Sequence, residues 1–212
     1  MPETLVHLRR EAALHADVEV IAVDGGSTDN SVAIVAREPW IRTMDAPRGR
    51  AQQMNAGAAQ ASGDVLLFLH ADTWLPEGAL AAINEAACHP AFVYGGFTHR
   101  FSGQDRRLMM ISALHNFRCR KAQTFYGDQA MFVRRDAFVA LGGFPLQPIE
   151  DIALSQALKT RARPVLLPLC VTTSSRKFEQ MGIWTSFARV LLILLSLRIG
   201  HKPPPAFFTD VR

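Results

Sequence analysis

Three short apolar runs, Val18 to Val23, Ile41 to Met44 and Asp64 to Leu69, alternate with helix-compatible stretches over the first third of the chain. This alternation restricts the fold more than any other feature. Val18 to Val23 ends in the turn-rich run Asp24-Gly25-Gly26-Ser27-Thr28-Asp29, which can open a helix through about Arg37. Gly49 to Ala61 reads as a second helix, and Asp64 to Leu69 is an unbroken apolar run of the kind a parallel sheet buries on both faces. Pro76 and Glu77 open a further helix, at a position where proline's missing N–H is harmless. The β-α-β-α-β-α order predicts an α/β domain with right-handed crossovers. Beyond Ala91 the pattern loosens: a strand at Phe92 to Phe101, a helix at Arg106 to Arg120, a strand at Ala130 to Arg134, and helices near Asp136 and Asp151.

With 212 residues, 49% hydrophobic and 20% charged, the chain can bury a core without disulfide or metal staples. The net charge of +4 lies entirely between Arg176 and Lys202, where Arg176, Lys177, Arg189, Arg198 and Lys202 face only Glu179. A nucleic-acid binder spreads basic side chains over a broader face with interleaved aromatics, so no nucleic-acid partner is expected. Cys88, Cys119 and Cys170 are odd in number and widely spaced, which supports neither a disulfide framework nor a zinc knuckle and fits a reducing cytoplasm. The first residues carry charges from Glu3 onward and have no apolar run of the secretory kind.

Ligands of open α/β sheets sit beyond the carboxyl ends of strands, so the polar residues that follow the apolar runs are the ones to weigh. Asp24 follows Val23; alone, it reads equally as a turn or capping residue. His70 and Asp72 alternate at a strand end and can share a ligand, and imidazole plus carboxylate suits Mn²⁺ or Mg²⁺ held jointly with phosphates. Glu150 and Asp151 stand at a helix start, where acids also simply complement the helix dipole. Gly142-Gly143-Phe144 just before them reads as a tight loop that lets a ligand approach closely. Arg48, Gly49 and Arg50 precede Asn55 at a helix N-terminus suited to anionic groups.

In order and spacing, VDGGSTDNS (Val23 to Ser31), RGRAQQMNAGAAQASGDVLLFLHAD (Arg48 to Asp72) and IED (Ile149 to Asp151) together resemble the family 2 inverting glycosyltransferases of the GT-A fold. The wording His-Ala-Asp, with YGDQAMFVRR (Tyr126 to Arg135) before Gly-Gly-Phe, looks like a small bacterial branch described as radical-SAM/selenodomain-associated transferases. The resemblance implies a mostly parallel, Rossmann-like twisted sheet over residues 1–180, followed by a C-terminal helix and tail at 181–212. It also implies transfer from a UDP- or GDP-sugar. Asp24, Gly25, Ser27, Asp29, Arg48, Arg50, Asn55, His70, Ala71 and Asp72 would contact the donor, with Asp72 and His70 on the metal. Gly142, Gly143, Phe144 and Glu150 would contact the acceptor, and Asp151 would be the general base.

Two departures from the family pattern stand out. His70 replaces the usual leading Asp of the D-x-D motif, and no opening strand of the V-I-I-P-x-x-N-E type precedes Pro2-Glu3-Thr4-Leu5, which reads as the helix after it. A sheet left open there would favour a homodimer through the free edge. A degenerate nucleotide-binding protein and a nucleotidyltransferase are the alternative readings.

Met181 to Leu197 is interrupted by Arg189 and too short to span a bilayer. If Phe178 to Gly200 is one helix, Met181, Trp184, Phe187, Leu191, Leu194 and Leu195 form one broad apolar face. That face either packs on the core or lies on an anionic membrane surface, at the inner face of the membrane, and meets a lipid-linked acceptor.

Overall fold

The structure, a computed structural model, describes residues 2–147 and 149–198. Helix α1 (Pro2–Ala12) precedes β1 (Val20–Asp24), α2 (Ser31–Val35), β2 (Ile41–Asp45) and α3 (Arg50–Gln60), and β1 and β2 pair in parallel as the alternation requires. Then come β3 (Val65–Leu67), β4 (Thr73–Trp74), α4 (Ala79–Ala87), β5 (Tyr94–Phe101), α5 (Arg106–Ala122) and a 3-10 turn at Gly127–Gln129. The described part closes with β6 (Phe132–Arg134), α6 (Arg135–Ala140), α7 (Glu150–Lys159), β7 (Val165–Thr173), α8 (Arg176–Met181) and α9 (Ile183–Arg198).

Among the described residues the strands form two sheets, the pair β1-β2 and a five-stranded sheet ordered β3-β6-β5-β7-β4. The larger sheet is mixed: β5 and β7 run parallel, whereas β3-β6, β5-β6 and β4-β7 are antiparallel. The apolar run at Asp64 to Leu69 is therefore covered on both faces as expected, yet its neighbour β6 is antiparallel. Leu66 and Phe68 enter one core, with Tyr94, Phe125, Phe138 and Phe144, while Val65, Leu67 and Leu69 pack on a second, with Phe92, Phe97 and Phe132. Two-sided burial reports the layers above and below a strand. It says nothing of the direction of the strand beside it.

Strands β4 and β7 have no counterpart in the sequence reading. β7 contains Pro168, and the β5-β7 register slips between Phe97↔Leu167 and Thr98↔Cys170. A strand proline cannot donate to the ladder and settles at such a bulge. The Thr98 hydroxyl donates to the Leu169 carbonyl at 2.9 Å across the irregularity.

Helix α1 ties the front of the molecule together. Leu5 packs with Val35 and Ile41, and the buried Glu11 carboxylate accepts the N–H groups of Gly78 (2.9 Å) and Leu80 (3.1 Å). Gly78 has no side chain with which to cap α4, so a distant carboxylate satisfies that helix's free donors. The expected single helix at 178–200 is two in its described part, broken at Gly182 with φ +87°. Ile183 packs on Leu108 and Ile111 of α5, with Phe187 alongside, whereas Trp184, Leu191 and Leu195 of the predicted face are exposed. The side chain of Leu194 and residues 199–212 lie outside the described residues.

Candidate active site

The strand-end turn of β1 closes on itself. Asp24 accepts the N–H of Gly26 (2.8 Å) and of Ser27 (2.9 Å) and the Ser27 hydroxyl, and these bonds, the hydroxyl's first, hold its carboxyl below the usual range. Asp29 accepts the Ser31 N–H at 2.9 Å, at the entry to α2. Gly25 sits against the Gln53 side chain so closely that a Cβ would stand 2.7 Å from it, which joins this turn to α3. Arg48 is exposed just before α3.

Three anchors hold the turn from His70 to Asp72. The Thr4 hydroxyl donates to Ala71 O (2.7 Å), Thr73 N–H to His70 O (3.0 Å) and Ser174 N–H to Asp72 O (2.9 Å). Burial and the Arg50 guanidinium push the His70 imidazole down to about 4, so the ring is neutral near pH 7. Arg50 Nη2 lies 3.2 Å from Nδ1 and 3.3 Å from Nε2 of His70, and Arg50 Nε is 3.5 Å from a Glu150 carboxylate oxygen.

Helix α7 starts with Glu150 and Asp151, both buried. Asp151 accepts Gly127 N–H at 2.6 Å on Oδ2 and Ile152 N–H at 2.8 Å on Oδ1. Burial and the adjacent Asp151 charge raise the Glu150 carboxyl, with Arg50 opposing them. Gly127 packs on the His70 ring, where no Cβ would fit.

These groups line a cavity of about 530 Å³. Its walls are Gly49 to Gln52 of the α3 entry, Tyr126 to Asp128, Leu146 and Gln147, Ile149 to Ile152, and Val190 and Ile193 of α9. Of the residues expected from sequence, Arg50, Glu150 and Asp151 meet here, and His70 backs the wall formed by Gly127 and Arg50. Asp24, Gly25, Ser27, Asp29, Arg48, Ala71 and Asp72 are not part of this wall. Asn55 and the Gly142 to Phe144 loop form a separate unit. Asn55 Nδ2 donates to Phe144 O and Phe144 N–H donates to Asn55 Oδ1, each at 2.8 Å. The Phe144 side chain is core, against Phe68 and Phe138.

Tyr126 and Asp128 also line the cavity, beyond the residues expected from sequence. The Arg118 guanidinium lies 3.7 Å over the Tyr126 ring, and burial raises that phenol to about 12. Their sequence signal is the YGDQAMFVRR run (Tyr126 to Arg135), which carries part of the resemblance without assigning either residue a role.

A curled mixed sheet flanked by helices is the architecture of the GT-A class. The glycosyl transferase family 2 model matches residues 1–142, and the chain belongs to that family. A protein named uncharacterised glycosyltransferase from Mycobacterium tuberculosis is 31% identical over 205 residues, covering 92% of this chain and 70% of its own length. Among solved structures, the mannosyltransferase PcManGT of Pyrobaculum calidifontis, in complex with GDP-Man and Mn²⁺, superposes with a TM-score of 0.66 at 18% identity. That match covers 99% of this chain and 64% of the other. Glucosyl-3-phosphoglycerate synthase of M. tuberculosis, with Mn²⁺, UDP-glucose and phosphoglyceric acid, gives 0.61 at 18% identity, over 95% and 76%. At these identities the structural matches establish the fold.

Proposed function

We propose that this chain transfers a sugar from a nucleoside-diphosphate sugar, of UDP or GDP type, to an acceptor hydroxyl with inversion at the anomeric carbon. The supporting observation is the cavity, where the Arg50 guanidinium and the carboxylates of Asp128, Glu150 and Asp151 line a single volume with an apolar wall. The structural relatives named with GDP-Man and with UDP-glucose support a nucleotide-sugar donor.

The chemistry assigns Asp151 as general base. Its two backbone donors fix the carboxylate while each oxygen keeps a lone pair for the acceptor proton. As that proton moves to Asp151, the acceptor oxygen bonds to the anomeric carbon and the bond from that carbon to the diphosphate breaks in line, releasing nucleoside diphosphate. Arg50, held between His70 and Glu150, offers its guanidinium to the departing phosphates. The donor set fits a divalent cation at Asp72, a carboxylate on a turn tied at three points. His70 is a neutral imidazole whose two nitrogens both face Arg50, so it is the weaker donor of the two. When bound, Mn²⁺ or Mg²⁺ supplies charge neutralisation at the diphosphate.

Helix α9, whose Val190 and Ile193 line the cavity, presents Trp184, Leu191, Leu192 and Leu195 to solvent, and α5 exposes Met109, Met110, Leu114 and Phe117. Exposed Arg106, Arg107, Arg120 and Lys121 stand at the ends of α5. This combination favours a lipid-linked acceptor met at an anionic surface. Among the described residues, no helix is long and apolar enough to cross a membrane.

The test is nucleoside diphosphate release from a panel of UDP- and GDP-sugars with Mn²⁺. Asp151→Asn should lower turnover about 10²- to 10⁴-fold while calorimetric binding of the nucleoside diphosphate stays intact. Equal loss of binding would overturn the assignment of the base.

A further inference from the structure

We propose that His99, His115 and Asp128 form a second, transition-metal site behind the cavity, separate from the cation position at Asp72. The three come from β5, α5 and the 3-10 turn, and one ligand atom from each lies within 4.8 Å of the others. His99 is 1% exposed, and neither of its ring nitrogens has a hydrogen-bond partner. His115 Nε2 and Asp128 Oδ1 are likewise buried and unpartnered. Burying four such atoms without partners is costly, and one cation ligated by all three side chains removes most of that cost.

The spacing selects an ion over direct hydrogen bonds. His99 Nε2 is 3.6 Å from Asp128 Oδ2, and His115 Nε2 is 3.9 Å from Asp128 Oδ1. Hydrogen bonds between nitrogen and oxygen need about 2.7–3.2 Å. Ligand atoms around a tetrahedral zinc with bonds of about 2.0–2.1 Å stand about 3.4 Å apart, so an ion would draw together three atoms that lie within 4.8 Å of one another. Burial lowers the His99 pKa despite the nearby Asp128 charge.

Two imidazoles and one carboxylate form a nitrogen-rich set that suits Zn²⁺ or Co²⁺ better than Mg²⁺. Of the three ligands only Asp128 lines the cavity. The ion would fix the turn whose Gly127 N–H holds Asp151. This site stands independently of the donor reading.

The experiment strips the protein with chelator and titrates it with Co²⁺ alone, without nucleotide. The expected result is one equivalent bound, with the visible absorption of a four-coordinate ion, displaced by Zn²⁺. His115→Ala, on the more accessible of the two histidines, should weaken binding by at least about 100-fold, since removing even an outer partner costs about 10- to 100-fold. Asp72→Asn should leave the signal unchanged. His99→Gln, with circular dichroism to check folding, gives a second loss. Absence of a bound equivalent in wild type, or a signal lost in Asp72→Asn and kept in His115→Ala, overturns the proposal.

Discussion

Asn55 offers a test in which structure and sequence assign different work to one side chain. The amide makes two bonds of 2.8 Å to the main chain of Phe144, a residue 2% exposed, and thereby staples the 142–144 loop to α3. Asn55→Ala leaves the N–H and C=O of Phe144 without partners. Each unsatisfied buried group costs about 1–3 kcal/mol, and partial access of water through half-buried Asn55 keeps the pair near the lower end, at about 2–4 kcal/mol in total. At about 2–4 °C per kcal/mol for a chain of this size, the melting temperature should fall by about 4–16 °C. Urea unfolding gives the free energy directly, from the midpoint at constant slope.

Asn55→Asp sharpens the argument. The introduced carboxylate can still accept from Phe144 N–H, but it repels the Phe144 carbonyl unless protonated. Its folded pKa is then raised above the unfolded value of about 3.9, so the native state binds the proton more tightly. The stability deficit relative to wild type must therefore shrink as pH falls through the folded pKa. A loss below about 0.5 kcal/mol for Asn55→Ala, the range of an ordinary surface substitution, or a pH-independent deficit for Asn55→Asp, would refute the staple.

Gly143→Ala should cost about as much as Asn55→Ala, because its φ is +78° and a Cβ would stand 2.6 Å from Asn55 Oδ1; thermal melts check this. Gly182→Ala, at φ +87° between α8 and α9, should cost about 1–2 kcal/mol in urea unfolding. Glu19 is held below its usual pKa first by the Ser62 N–H and then by the Ser62 hydroxyl. Its stabilisation is present above the unfolded pKa and is lost as pH falls through the folded one, so Glu19→Gln should flatten the acid limb of a stability–pH curve. Trp184→Glu with Leu191→Glu should abolish sedimentation with anionic vesicles at low salt; a wild-type protein that stays in the supernatant there contradicts the lipid-surface reading.

What the sequence by itself determined is local. Periodicity located β1, β2 and β3, and the Glu150-Asp151 pair marked the start of α7, because each depends on residues adjacent in the chain. Strand direction, the β4-β7 pairing and the split at Gly182 were decided by packing between distant segments. The same holds for side-chain partners. Asn55 reads as a polar residue on a helix until the fold brings Phe144 to it, 89 positions away. His99, His115 and Asp128 share no motif and meet only because β5, α5 and the 3-10 turn converge. A side chain's chemistry belongs to the sequence, but its partner is chosen by whatever the burial of apolar surface brings within about 3 Å, and that choice exists only in the folded chain.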